Sequence, residues 1–579
     1  MDILKAPVDR ERTQALLDYQ ARLASLTFLD PACGSGNFLT ETYLSLRRLE
    51  NRAIEALAHG QVSFAFSAKE SPIRVSIGQF YGIEINGFAV AVARTALWIA
   101  EVQMMEETRA IVQLYEDVLP LKDYDNIREG NALRLVWGEV VPPDRPSFIM
   151  GNPPFVGASM MTKEQKDEAV AIFGKIPRSN SIDYVGAWYH KAAQMIHDTE
   201  ARAAFVSTNS ITQGEQVAPL WGKLLDEYGV HIDFAWRTFA WNSEATDKAH
   251  VHVVIVGFSC GPKCPNAPRL FDVQKDGSFI EAPAKNINAY LLDAPDVLIG
   301  ARGRPLCEGA PLMTKGNQPS DGGHLILSQG ERDELIRRDP RLSSCVRRYV
   351  GARDFINDDQ VRYCLWLKDV PPDVWSKDKE IMRRVDAVRQ MRLASTAAPT
   401  RALADAPYRF FSTTQPDGPC LCVPRVSSER RRYAPMGFLP DGAIAADSIS
   451  IVHHAGPYHF GVLTSDVHMA WMRVVAGRLE TRYRYSGEVV YNNFVWPSPT
   501  DEQKAKIEAA AQAILDARTM YPTCSLAVLY REGSMPLELR KAHRANDAAV
   551  RAAYGFAKDM SEPEIVAALM EMYRELMGK

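Results

Sequence analysis

Apolar residues in the first half of the chain recur in two alternating rhythms. Short apolar runs suited to buried strands lie at residues 26–30, 79–85, 147–150, 203–207, 231–236 and 251–258. Between them, at 38–58, 87–107, 163–173, 183–197 and 216–228, apolar positions take helical spacing, and a further helix at 13–26 precedes the first strand. Strands alternating with helices predict an α/β fold built on a parallel, doubly wound sheet. Past residue 265 the rhythm changes. Proline and glycine become frequent, and short strands are expected at 362–367, 421–423, 449–453 and 459–463, as in an irregular α+β domain. Helical spacing returns at 501–520, 537–554 and 561–577. The expected domains are therefore 1–265, 266–500 and a C-terminal helical region, 501–579.

With 579 residues the chain is too long for one ordinary core. Its 46% hydrophobic and 24% charged residues are typical of a globular protein. No run of about 18 apolar residues predicts a membrane span, and the first residues do not open a signal peptide. A cytoplasmic location is expected. The net charge of −4 gives no global sign of nucleic-acid binding, although a local basic face would be enough for it. Nine cysteines are scattered. The pairs Cys260/Cys264 and Cys420/Cys422 have poor spacing for a zinc ribbon, so no metal site is expected.

The stretch Asp30-Pro31-Ala32-Cys33-Gly34-Ser35-Gly36-Asn37-Phe38 falls where the first strand ends and a helix begins. Glycines there permit a tight turn and close approach of a ligand to the main chain. The third glycine usual for a dinucleotide pyrophosphate is missing. Asp30, ahead of the turn, suits a cationic ligand with an ammonium or sulfonium group. At the tip of the next strand, Glu84 is placed to accept both hydroxyls of a ribose. It follows Gly36 by 48 residues, against about 20 in a compact unit, so residues 59–76 are read as an insertion.

After the strand at 147–150 comes Gly151-Asn152-Pro153-Pro154-Phe155. Two prolines fix φ and remove N–H donors, which stiffens the loop and leaves its carbonyls free to accept. The Asn152 amide oxygen and the Pro153 carbonyl can accept from an exocyclic amino group, and Phe155 offers a face for stacking a base. An aryl-type amine is a poor nucleophile because its lone pair is delocalised. Two rigid acceptors favour the pyramidal nitrogen and the charge that develops on it during methyl transfer.

This series, with Gly82-Ile83-Glu84 and Gly130-Asn131-Ala132-Leu133, resembles the motifs of amino-methylating DNA methyltransferases, in the order of the γ class. The resemblance implies a Rossmann-like class I methyltransferase fold that binds S-adenosylmethionine. Asp30, Ala32, Gly34, Gly36, Phe38, Glu84, Ile85, Asn131 and Ala132 would hold the cofactor. Asn152, Pro153, Pro154 and Phe155 would hold a flipped-out adenine, because its amine is inaccessible within a duplex. Phe239 or Trp241 would form the opposite wall.

Downstream, Gly316-Asn317-Gln318-Pro319, Arg362-Tyr363-Cys364-Leu365-Trp366-Leu367 and Tyr491-Asn492-Asn493-Phe494-Val495-Trp496-Pro497 are similar to the MmeI-like, type IIL restriction-modification family. Its members join nuclease, methyltransferase and target-recognition domains in one chain. The residues themselves suit a DNA reader. Arg425 and Arg430 stand in a basic cluster with hydroxyls that fits phosphates. Arg478, Glu480, Arg482 and Arg484 would share one face of an extended strand. Arginine pairs with guanine and glutamate with cytosine N4, and the resemblance favours Glu480 and Arg482 as base readers. Family members also carry an upstream nuclease and a Tyr-Thr-(Pro/Ser) segment, neither of which we find in residues 1–25. The expected alternatives are a truncated gene product and one half of a split system whose nuclease or N-terminal partner chain supplies them, and the isolated chain is expected to bind S-adenosylmethionine weakly. A protein or RNA methyltransferase and a non-catalytic DNA-specificity subunit are the competing readings.

Overall fold

The computed structural model describes residues 10–58, 71–112, 124–142, 147–174, 176–241, 251–261, 267–274 and 276–578. Cys264 and most of the expected insertion lie outside the described residues. The chain forms two compact units, one of residues 1–212 and 216–298, the other of residues 213–215 and 299–579.

The first unit opens with helix α1 (Arg10–Ser25) and strand β1 (Phe28–Asp30), followed by α2 (Asn37–Ala58), β2 (Phe80–Glu84), α3 (Gly87–Arg109), β3 (Ile127–Glu129) and β4 (Phe148–Gly151). Then come α4 (Lys163–Phe173), α5 (Gly186–Ile196), β5 (Arg202–Thr208), α6 (Val217–Tyr228), β6 (His231–Trp241), β7 (Val251–Ser259), β8 (Arg269–Val273) and β9 (Phe279–Pro283). All nine strands join one sheet in the order β3-β2-β1-β4-β5-β7-β6-β8-β9. The sheet thus runs on past residue 265, and the unit ends at Leu298.

The sheet is mixed, not parallel throughout as expected. β7 runs antiparallel to both β5 and β6, and β9 runs antiparallel to β8. Connection length explains the difference. A parallel crossover needs roughly a dozen residues or more, and the short links before β7 and β9 are long enough only for a hairpin return.

Chain order reverses between β1 and β4, which makes their C-terminal ends the switch point where ligands bind in open α/β sheets. Register there is set by aromatic packing. Phe28 pairs in register with Phe80 and Phe148, and its ring stacks on theirs at 5.0 and 5.4 Å. A slip of one residue would turn these rings out of the core, so the stack brings Asp30, Glu84 and Asn152 to one edge of the sheet. Behind them, α2 and α3 pack closely at Gly36, where a Cβ would lie 2.9 Å from the Ala93 Cβ. Among the described residues α3 is the one helix long and apolar enough to cross a membrane. In this fold it buries Val90, Ala93, Leu97, Ala100 and Met104 within the unit.

The second unit holds three small sheets. One is formed by β10 (Met313–Lys315), β18 (Ile449–His453), β14 (Cys420–Pro424) and β16 (Gly437–Phe438); another by β11 (Ile326–Leu327), β13 (Arg362–Leu365), β12 (Val346–Val350) and β17 (Ile444–Ala445). The third is β15 (Val426–Ser427), β20 (Arg482–Arg484) and β19 (Gly477–Leu479). Helices Asp501–Thr519, Leu537–Tyr554 and Glu562–Leu576 follow. Residues 459–463, expected as a strand, belong instead to a helix, Pro457–Leu463. Pro457 sits in its first turn, where its fixed φ suits a helix start, and an apolar run this short has no distinctive period. The motif asparagines of this half act as fasteners. Buried Asn317 donates to the Ala445 carbonyl and accepts from the Thr414 and Gln415 N–H groups. Asn493 donates to the Gly300, Glu488 and Val489 carbonyls.

Candidate functional site

The glycine turn that leaves β1 is held by main-chain bonds. The Cys33 N–H donates to the Ile83 carbonyl and the Gly36 N–H to that of Cys33. Gly34 and Gly36 have φ of +54° and +83°, which other residues rarely adopt. At the end of β2, Glu84 accepts from the Gly34 N–H at 2.9 Å and from the Asn86 N–H at 3.0 Å. Each carboxylate oxygen keeps a further lone pair free to accept.

Asp30 lies otherwise than expected. It is 1% exposed and turned beneath the turn, accepting from the Ala32 N–H at 3.0 Å rather than facing open space. Its Oδ1 occupies the room a Cβ on Gly151 would need, 2.5 Å away. Asp30 therefore joins the root of the glycine turn to the root of the Asn-Pro-Pro-Phe loop. Burial, and secondarily the charge of Glu84, push its carboxyl up to about 7, against the pull of the Ala32 hydrogen bond.

Above these groups opens a cavity of about 400 Å³, within the usual range for small-ligand sites. Its walls bring together Ala32, Glu84, Ile85, Asn131 and Ala132 from one set of expected residues and Asn152 and Pro154 from the other. Gly34, Gly36, Phe38, Pro153 and Phe155 do not reach the lining, although Phe38 and Phe155 are partly exposed nearby in sequence. The Asn152 Oδ1 is buried and has no hydrogen-bond partner among the described residues. Buried acceptors are nearly always satisfied, so this one is a candidate for a donor brought by a ligand. Phe239 and Trp241 sit at the end of β6 with their rings 6.3 Å apart, and Trp241 is not on the cavity wall. Burial, with the charges of Asp30 and Glu84, pushes the thiol of nearby Cys33 well up, away from the thiolate form.

Three further lining residues lie outside the motifs read from the sequence: Gln165, Tyr184 and Trp188. The Trp188 indole N–H donates to the Pro31 carbonyl at 3.1 Å, and the Tyr184 ring meets Trp188 edge-on at 5.2 Å. The one available sequence signal was the i, i+4 aromatic pair, which puts both rings on one side of a helix start.

The second unit has a groove of about 790 Å³ lined by six arginines and one carboxylate, Asp447. Arg425, Arg482 and Arg484 are among them, with Arg353, Arg362 and Arg431. Burial, and then the neighbouring Arg531, press the Arg431 charge toward loss. This local basic face is invisible in the net charge of −4. Arg430 is exposed beside Glu429 and lies off the groove.

Arg478 to Arg484 do not form the single extended strand expected. β19 and β20 make a hairpin in which Leu479 pairs with Arg482, so the chain turns at Glu480-Thr481. Glu480 takes φ of +57° there and pairs with Arg482 at 2.8 Å. Pairing puts Arg482 and Arg484 on the groove side. Arg478 instead lies 3.9 Å over the Tyr483 ring and donates to the Thr481 carbonyl and Gln213. Its guanidinium is used within the fold.

A sheet of this order, with a glycine turn after β1, a carboxylate after β2 and Asn-Pro-Pro-Phe after β4, is a Rossmann-like class I methyltransferase fold. The chain belongs to the MmeI family. Residues 7–272 match the family described as MmeI, DNA-methyltransferase domain; residues 293–498 match the MmeI target recognition domain and 499–579 the MmeI C-terminal domain. The solved structure of the type IIL restriction-modification enzyme MmeI in complex with DNA is similar at a TM-score of 0.85 and 40% identity, covering 98% of this chain and 75% of that one. DNA methyltransferase A of Bacillus subtilis (strain 168) is 38% identical over 558 residues, 96% of this chain. The chain spans 62% of that relative's length.

Proposed function

We propose that the chain is a site-specific DNA methyltransferase, transferring a methyl group from S-adenosylmethionine to N6 of adenine in duplex DNA within restriction-modification. The observation that carries this reading is the single cavity in which ribose-type and amine-type acceptors meet, with the Asn152 Oδ1 buried and unpaired.

The residues fit the cofactor. Glu84 would accept from the ribose hydroxyls, Ile85 and Ala132 would flank the adenine, and the backbone of Pro31 and Ala32 would face the methionine portion. When bound, S-adenosylmethionine supplies an electrophilic methyl on a sulfonium. The protein's part is to present the target amine. The Asn152 Oδ1 accepts one N–H, which raises electron density on the nitrogen and stabilises the charge that develops there. The diproline holds that acceptor still, so little reorganisation is needed at the moment of transfer. Phe155, part-exposed beside the loop, stacks on the extruded base.

The arginine groove would take the DNA, its cations meeting phosphates while Arg482 and Glu480 reach base edges. The MmeI structure was solved with DNA bound, which favours this partner over RNA or protein. The test is transfer of tritiated methyl to duplex DNA, RNA and protein, with the labelled nucleoside identified after digestion. Label in N6-methyladenine from duplex DNA is expected. Sequence-specific retention of DNA without label would instead favour a specificity subunit.

A further inference from the structure

The cavity walls come from six separate segments, and one carboxylate behind them ties three of these together. Glu168 lies on α4, whose side chain there is 10% exposed and does not itself line the cavity. Its Oε1 accepts from the Asn131 amide at 2.9 Å and from Arg134 Nε at 2.8 Å. Its Oε2 accepts from the Tyr184 hydroxyl at 2.5 Å.

Each partner is fixed in turn. Asn131 Oδ1 accepts from the Leu133 N–H, which sets the amide so that its Nδ2 faces Glu168. The Tyr184 N–H donates to the Val156 carbonyl, just beyond Phe155. Through Trp188 the Tyr184 ring reaches the Pro31 carbonyl of the glycine turn. The contacts run as a chain round the cavity: Pro31, Trp188, Tyr184, Glu168, Asn131. A buried carboxylate that takes hydrogen bonds from three side chains cannot lose one without disturbing the others.

The geometry points to Glu168 as a positioning residue that locks the cofactor-side loop at Asn131 to the substrate-side wall at Tyr184. It rests on the reading of the cavity as an S-adenosylmethionine site. It touches neither cofactor nor base. Its effect is to hold both halves of the cavity at one spacing, so that cofactor binding and presentation of the amine rise and fall together.

The experiment uses the full chain, with S-adenosylmethionine as the probe in calorimetry, thermal unfolding alongside, and steady-state methyl transfer to duplex DNA. Glu168→Gln keeps the size but removes the charge held by Arg134. Tyr184→Phe removes only the hydroxyl and keeps the ring on Trp188. Each is expected to weaken cofactor binding about tenfold, or about 1.4 kcal/mol, and to raise KM for the cofactor. Affinity for DNA and Tm should stay near wild type, which separates positioning from general destabilisation. Because both variants weaken the Glu168–Tyr184 link, the loss in the double variant should be smaller than the sum of the two single losses. Fully additive losses, or wild-type cofactor affinity in Glu168→Gln, overturn the inference and leave the cofactor reading intact. Should Glu168→Gln fail to fold, Tyr184→Phe decides alone, with unchanged cofactor affinity counting against the link. No binding by the wild-type chain at millimolar cofactor overturns both the inference and the reading beneath it.

Discussion

Asn152→Ala should make the protein more stable and its chemistry far slower. The Oδ1 is buried and has no partner among the described residues, although its residue stands on an open cavity. A buried acceptor without a donor costs about 1–3 kcal/mol. Truncation to alanine removes that penalty and forfeits the packing of a half-buried side chain, worth about 1 kcal/mol or less at ~25 cal/mol per Å². The balance is a gain of up to about 2 kcal/mol in the free protein. For a unit this size each kcal/mol moves Tm by about 2–4 °C, so a rise of a few degrees is expected.

The opposite holds in the reaction. Removing one preorganised partner of the reacting group typically costs about 10²–10³ in rate. Calorimetric unfolding and single-turnover methyl transfer at saturating cofactor measure the two effects on one preparation. A fall in Tm together with an undiminished rate would refute the argument, since the oxygen would then be serving the fold and not the substrate. A fall in both would mean that an unseen partner satisfies Asn152 in the free protein.

Three other outcomes follow from the same geometry. Gly36→Ala sets a Cβ 2.9 Å from that of Ala93 at φ of +83°; overpacking of about 1–3 kcal/mol and left-handed strain of about 1–2 kcal/mol should lower stability in urea unfolding, and an unchanged midpoint would contradict the close packing of α2 on α3. The carboxyl of Asp30 is raised to about 7 by burial, so its stabilising neutral form is fully present below about pH 4 and is lost as pH rises through 7; Asp30→Asn should remove this part of the stability profile, and a cationic cofactor, which favours the ionised form, should bind the wild type more tightly at pH 8 than at pH 6, with proton release detectable in buffers of different ionisation enthalpy. Glu480→Gly relieves a non-glycine residue at φ of +57° and should stabilise the hairpin by up to about 1 kcal/mol while relaxing discrimination at one base pair; retention of full sequence preference in a modification assay would remove Glu480 from the readers.

What the sequence made legible was local. α4 runs from Lys163 to Phe173, as its spacing predicts, and Thr162 and Gln165 form the capping box that starts it. β18 likewise matches its expected bounds, Ile449–His453. The glycine turn, Glu84 and Asn152 could be placed together because strand ends carry motif residues at short range. The relations between distant segments were not legible. Nothing near Glu168 marks it, because its partners lie 16, 34 and 37 residues away. Arg478 and Arg482 look alike in the sequence, and only the turn at Glu480-Thr481 separates them. Antiparallel β7 escaped notice because an apolar strand does not record its direction.

The position of Asp30 bears on how the two motifs act as one site. In the sequence they are more than a hundred residues apart, yet β1 and β4 are neighbours and the Asp30 carboxylate fills the space above Gly151. Any residue larger than glycine at 151 would push that carboxylate into the turn it supports through the Ala32 N–H. Glycine ahead of Asn152 therefore serves the turn at 32–36 as much as the loop it begins. The amide at 152 and the turn at 32–36 share a single buried wall, and no side chain with a Cβ can be placed between them. The roots of the two loops are then held at a separation set by the spacing of adjacent strands, about 4.8 Å, rather than by the flexibility of either loop.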